Sequence, residues 1–343
     1  MATDGANFDG PLRESSTSTS ADDGAATAKI PAVCHFVWLG PAFPFLNALA
    51  VVSAARRGGF ERVVLHADHD LASTPFFDVL MRLPQFEVRR IDLDALARAA
   101  GQDGGRVRAL YDNMTSAAAR SDVLRVLALA AEGGVYLDID TVTVASFDAL
   151  RTREAFVGQE YICFPDWTTR SATLAERVRA YALAALRLVL RMIPRGYLLF
   201  QKVARVYALA VNNAVLGSTP GHPFVVSYLE AMLAADPAYA RRPFAIGPDL
   251  LARIARDRSV SGLEVLGPNV LYPLPPVISE QWWSMQSAPN LGDVVTTETV
   301  SVHWYASVRS RSLAGQVDPA YVQQNRERQL FSKLAAPFLD AFR

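Results

Sequence analysis

The chain has 343 residues, 51% of them hydrophobic, enough to bury a full core in one large domain with insertions or in two small ones. Its 34 basic and 34 acidic residues cancel, so no global charge points to nucleic acid. No uninterrupted, charge-free apolar run approaches the roughly 20 residues that a spanning helix needs. The two cysteines, Cys34 and Cys163, each lie in an apolar segment, which argues against a disulfide framework, makes buried free thiols the default and is compatible with a reduced compartment. A cytoplasmic setting, with membrane association on that face as an option, is the expectation.

Residues 1–29 are rich in Ser, Thr, Ala, Gly and Asp and lack an apolar core, and read as a disordered leader rather than a signal peptide. Val33 to Gly40 reads as a first strand, 45–57 as a helix, Arg62 to His66 as a second strand and Phe86 to Ile91 as a third. The alternation predicts an α/β fold with a mainly parallel sheet flanked by helices. His66 and His69, beside Asp68 and Asp70, have no helical metal spacing, and a loop after the second strand is expected there.

Residues 120–140 form the most specific stretch. Apolar positions Val123, Leu124, Leu127 and Ala128 follow helical spacing, and Gly133-Gly134 supplies a helix stop. A strand is predicted over Val135 to Val144, with Asp138 and Asp140 on one face because side chains alternate. Two adjacent carboxylates repel each other unless a cation or protons intervene, and hard oxygen ligands suit Mg²⁺ or Mn²⁺ shared with substrate phosphates. Asp122 and Arg125, three apart on the helix, read either as a surface ion pair or as functional groups.

Farther on, residues 174–211 read as an inserted basic helical hairpin. Seven cations (Arg177, Arg179, Arg187, Arg191, Arg195, Lys202 and Arg205) face only Glu176. The hairpin either lies on an anionic membrane or packs on the core with its arginines solvated. Asn212 and Asn213 precede a Gly-His-Pro turn in which His222 caps the next helix. Pro248 suits a first helical turn, with Asp249 as a helix-terminus carboxylate. Val300 to Tyr305 reads as a late strand carrying His303, and 311–343 as a helical tail.

The run Ser121-Asp122, Arg125, Gly133-Gly134, Tyr136, Asp138, Asp140 resembles the glycosyltransferase family with the Asp-x-Asp sugar-binding motif. That family includes Och1-like mannosyltransferases and capsular polysaccharide enzymes and is distantly similar to clostridial glucosylating toxins. The resemblance extends loosely over 30–310. It implies a GT-A type, Rossmann-like fold, a GDP-mannose or UDP-hexose donor, Mn²⁺ or Mg²⁺, a glycan, lipid or protein acceptor, and retention of configuration. It also implies a donor site of Trp38, Asp122, Arg125, Tyr136, Asp138 and Asn213, a metal site of Asp138, Asp140 and His303, and electrostatic assistance from Arg125. For Trp38 and Tyr136 a purely core role stands beside the nucleotide role, and for His303 a structural one. Ser307 precedes Val308 where the family has Ser-Trp, which puts the closing loop in question. Rival functions are a metal-dependent nucleotide-sugar hydrolase and a non-catalytic membrane-binding module.

Overall fold

A computed structural model describes residues 29–163, 173–257, 260–306 and 315–343. The expected leader, apart from Lys29, and the closing-loop residues Ser307 and Val308 lie outside the described residues. The strands are β1 (Val33–Trp38), β2 (Arg62–Ala67), β3 (Phe86–Arg90), β4 (Gly134–Leu137), β5 (Thr141–Thr143), β6 (Ala155–Ile162), β7 (Ala208–Ser218), β8 (Leu263–Leu266) and β9 (Ser301–His303).

Seven strands form one sheet in the order β3-β2-β1-β4-β7-β6-β8. Neighbours are parallel except at β7, which runs antiparallel to both β4 and β6. The fold is therefore α/β with a mainly parallel sheet. Helices cover both faces: Phe45–Arg57 and the C-terminal segments pack on one, while the helices within 93–132 and 223–256 pack on the other. Strand order reverses between β1 and β4, the kind of switch point where open α/β sheets leave a crevice for ligands. Trp38 ends one strand at that crevice and Leu137 ends the other, with Asp138 next in the chain.

Local chemistry sets the element ends. The helix Ala117–Glu132 begins where the Ser116 hydroxyl accepts from Ala119 N at 3.1 Å, and it stops at Gly133. Gly133 and Gly134 both have positive φ, 64° and 99°. A Cβ on Gly134 would stand 2.4 Å from the Val33 carbonyl oxygen, so only glycine lets β4 enter the sheet beside β1.

One expected strand divides into two. Val135 to Val144 is not continuous: β4 ends at Leu137, and a turn follows in which Thr141 N and Oγ1 donate to the Asp138 carbonyl at 3.1 and 2.8 Å. The chain then enters β5, which pairs with β9 in a separate two-stranded sheet. Apolar runs in two sheets read alike when only three residues separate them. Asp138 and Asp140 thus lie at the entry and exit of a turn rather than on one strand face.

The expected hairpin contains the helices Leu174–Met192 and Gly196–Val203, and β7 already begins at Ala208. Arg191 turns inward, donating to the Val277 and Pro276 carbonyls at 2.9 and 2.8 Å, and Arg187 is half-buried beside Cys163. Neither arginine belongs to an outward basic face.

Beneath the sheet's crevice, His35 Nδ1 and His66 Nε2 lie 3.1 Å apart, and His35 Nε2 lies 3.0 Å from the Gly133 carbonyl oxygen. Burial pushes His35 down to about 3 and His66 down to about 4. Both rings are neutral in the fold and protonate more readily when unfolded, so their stabilising effect is complete above the ordinary histidine range and is lost as pH falls below it. The expected loss between about pH 7 and about pH 5 is on the order of a few kcal/mol. Urea midpoints across that range test this, and a His35→Gln/His66→Gln variant should show a flatter decline. Gly134→Ala should destabilise the fold by at least about 2 kcal/mol, since strain and a backbone clash combine. A melting temperature within a degree or so of the native value would remove that reading.

Candidate active site

Arg125 is buried, with its side chain 5% exposed. Of the two readings for Asp122 and Arg125, the surface one does not hold: the pair is interior, Nη2 to Oδ1 at 3.1 Å, and the same nitrogen reaches Asp138 Oδ1 at 3.0 Å. Helical spacing alone leaves the direction of that face open, and the buried flank of the helix turns it toward β4 and β7. The guanidinium carbon sits 4.6 Å from the Tyr136 ring centroid, and Nη1 donates to the Asn213 carbonyl. Tyr136 donates its hydroxyl proton to Asp138 Oδ1 at 2.7 Å and lies 3.1 Å from Ser121 Oγ. Asn213 Nδ2 donates to Asp122 Oδ1 at 2.8 Å.

An irregularity in β7 makes this network reachable. Val157 pairs with Leu216 but the next residue, Gly158, pairs with Asn212, so 213–215 are out of register with β6. Their backbone groups find other partners. Ala214 N donates to Asn212 Oδ1 at 2.7 Å, Val215 N donates to the Tyr272 hydroxyl at 3.0 Å, and the Ala214 carbonyl accepts from Asp138 N at 2.7 Å. Tyr228 anchors an adjoining strap by donating to the Ile246 and Gly247 carbonyls at 3.1 and 2.9 Å. A Cβ on Gly247 would lie 2.6 Å from Asp122 Oδ2, so glycine keeps that carboxylate clear.

Asp140 belongs to a second, adjoining group. Its Oδ1 is 2.9 Å from His303 Nε2, its Oδ2 accepts from Ala306 N at 2.7 Å, and its carbonyl accepts from Trp304 N at 3.1 Å. Ligand atoms of Asp138, Asp140 and His303 all lie within 4.8 Å of one another. The carboxylate side chains keep 24% and 15% of their surface open, which leaves access for a ligand. Two carboxylates and an imidazole form a donor set suited to Mn²⁺ or Mg²⁺. Asp138 commits Oδ1 to Tyr136 and Arg125, while its Oδ2 has no protein partner among the described residues.

Electrostatics divide these groups. Burial raises Asp122 to about 6 against the pull of Arg125. Burial, with Asp140 nearby, also raises Asp138. For Asp140 burial is outweighed by His303 and by its hydrogen bonds, and the carboxyl is held below its usual range. Burial likewise opposes a charge on His303, but Asp140, Asp138 and Glu160 lift it above its ordinary value. His303 therefore holds a proton more readily than a free imidazole, and a divalent cation bound there would compete with that proton.

The structure joins Asp122, Arg125, Tyr136, Asp138 and Asn213 in one bonded network and sets Asp140 and His303 beside it. Trp38 stands at the same sheet end but outside the network, half-buried edge-on to Phe43 with ring centroids 5.6 Å apart. Tyr136 is wholly buried, so its core reading and its contact with Asp138 hold together. His222 Nδ1 accepts from Phe224 N at 3.1 Å, the expected cap, and Pro248 and Asp249 open the helix Pro248–Arg256. Sequence reasoning missed Glu160. This buried acid accepts a hydrogen bond from the Tyr305 hydroxyl, and the Tyr305 ring lies 4.0 Å from that of His303. Its signal was an acid within the largely apolar Ala155–Ile162 strand, next to Gln159.

Residues 53–157 match the family described as "Glycosyltransferase sugar-binding region containing DXD motif". No curated protein matches the chain. Among solved structures, the chain is similar to "PaToxG Glycosyltransferase" at 16% identity and a TM-score of 0.42, over 66% of this chain and 68% of that one. It is similar to the UDP-bound glycosyltransferase domain from the YGT toxin at 11% identity and a TM-score of 0.40, over 92% of this chain and 94% of that one. For the ligand-free form of that domain the figures are 10% and 0.37, over 70% and 80%.

Removing Arg125 would leave Asp122 and Asp138 buried without their cation. Arg125→Met should therefore cost about 3–5 kcal/mol of folding stability, with part recovered in Arg125→Met/Asp122→Asn. Urea denaturation of both variants tests the coupling. A single-variant loss under about 1 kcal/mol would mean that the carboxylates do not depend on the guanidinium.

Proposed function

We propose that the protein is a metal-dependent glycosyltransferase that moves a hexose from a nucleotide diphosphate to an acceptor hydroxyl. The observation that carries this reading is the cluster of Asp138, Asp140 and His303 beside the Arg125–Asp122–Asn213 network, with both carboxylates in the region matched by the Asp-x-Asp family. Mn²⁺ or Mg²⁺ held by those three residues would supply charge compensation for the departing diphosphate.

The chain's own groups divide the remaining work. Arg125 keeps its full charge beside Asp138 and lends positive potential to the leaving group. Asp122, kept clear by Gly247 and oriented by Asn213, offers an acceptor oxygen to sugar hydroxyls. Tyr136 fixes the Asp138 carboxylate. Trp38, at the end of β1, offers a ring face to a nucleotide base. The Och1-like or capsular subtype, the GDP-mannose or UDP-hexose donor, retention, a glycan, lipid or protein acceptor and a cytoplasmic setting belong to the same proposal and rest on the resemblance. Retention is assigned to front-face substitution, in which the donor phosphate helps deprotonate the acceptor.

Incubation with a panel of nucleotide sugars and Mn²⁺, following released GDP or UDP and the anomeric signal of the product, tests the reading. Asp138→Asn and Asp140→Asn should each lower turnover by at least about 100-fold while thermal unfolding stays cooperative. Turnover near the native rate in both folded variants would remove the metal assignment. Release of free sugar with every acceptor tried would reassign the site to hydrolysis.

A further inference from the structure

The helix Leu174–Met192 carries apolar residues on its outer side as well as on the side that packs on the core. Leu174, Val178, Tyr181, Leu188, Val189 and Met192 are exposed, Leu174 and Met192 by 79% and 84%. At 3.6 residues per turn these six share one side of the helix. On the opposite side Glu176, Arg187 and Arg191 flank Ala180, Leu183, Leu186 and Leu190, which pack on the core. Glu176 closes a capping box with Thr173, Arg187 is half-buried, and Arg191 pairs with Glu280 at 2.7 Å while holding two carbonyls of the core. A surface helix that contacts only protein and water turns its apolar stripe inward. This one has such a stripe, Ala180, Leu183, Leu186 and Leu190, and a second one turned outward, so the outer face is shaped for an apolar medium.

Exposed cations of the hairpin form a basic border: Arg177 flanks the stripe, while Arg179 and Arg195 also reach the Val206, Ser287 and Ala288 carbonyls. Arg177, Arg179, Arg195, Lys202 and Arg205 are exposed, and Glu176, on the inward side, is the only acid between residues 173 and 206. Arg177, Lys202 and Arg205 form no ion pair among the described residues. An identical cationic border on a second copy would repel this one in a symmetric dimer, whereas anionic phospholipid headgroups complement it. Among the described residues no helix is long and apolar enough to cross a membrane. A helix of 19 residues spans about 28 Å and is suited to lying in the interface plane.

We infer that the outer face of Leu174–Met192 docks on an anionic phospholipid surface, with its apolar stripe in the headgroup boundary and its basic border on the phosphates. Topology gives the docking a direction. β6 runs parallel to β4, because each is antiparallel to β7, so the chain leaves β6 for this helix at the sheet end that carries Asp138. Docking therefore brings that end toward the bilayer, whatever reaction the site performs.

Sedimentation with vesicles tests the inference on the full chain. The probes are phosphatidylcholine vesicles with and without about 30% phosphatidylserine, at low and physiological salt. The native protein should bind the anionic vesicles at low salt about tenfold more strongly than the neutral ones. Val178→Glu/Leu188→Glu/Met192→Glu and Arg177→Glu/Lys202→Glu/Arg205→Glu should each lose about tenfold of that binding, with thermal unfolding unchanged because these side chains are exposed. Native protein that stays in the supernatant with both vesicles overturns the proposal, as does undiminished binding by the apolar-face variant. A dimer in sedimentation velocity that the apolar-face variant dissolves, without vesicle binding, overturns it in favour of a second copy.

Discussion

A guanidinium almost cut off from water has to be surrounded by acceptors, and around Arg125 that requirement binds three elements together. Asp122 comes from its own helix, Asp138 from the end of β4 and the Asn213 carbonyl from β7, while the Tyr136 ring covers one face of the plane. The planar fork reaches several oxygens at fixed angles, which an ammonium on a flexible stem does not. Because each partner is itself held, Asp122 by Asn213 and Asp138 by Tyr136, the positions of the acids are set before any ligand arrives. The cost of burying so many charges is offset only while the whole set is present.

Two departures from regular strand geometry supply those partners. The out-of-register stretch of β7 turns the Asn213 carbonyl away from the ladder and toward Arg125, and side chains of Asn212 and Tyr272 take over the orphaned amides. The turn after β4 moves Asp140 out of the main sheet and under Ala306 and His303. The two devices are joined, since β7 also holds the Asp138 amide through the Ala214 carbonyl.

Much of this was legible where the signal is local. The helix 45–57 and the strands at 62 and 86 begin where periodicity and turn residues place them, and the glycine pair after Glu132 marks a stop that two positive φ angles require. The residues of the Asp-x-Asp stretch come together because one helix and one strand carry most of them. What periodicity does not encode is the partner of each strand. A run of alternating residues looks the same whether it stays in one sheet or crosses to another, so the break after Leu137 was hidden. Glu160 and Tyr305 are 145 residues apart and meet only in the fold. Arg187 and Arg191 were counted toward a basic surface because charge in a sequence has no direction, and the helix turns both of them inward.

The pairing of Thr141 with His303 in the small two-stranded sheet has a consequence for the order of assembly. His303 and Asp140 are separated by 163 positions, so this half of the site exists only after a loop of that span has closed and the late strand has found its register. A slip of one residue would point His303 to the other side of its strand. Any ligand that needs both groups therefore ignores partly folded chains and favours the finished one, acting as a sensor of completed folding as well as a participant in the site.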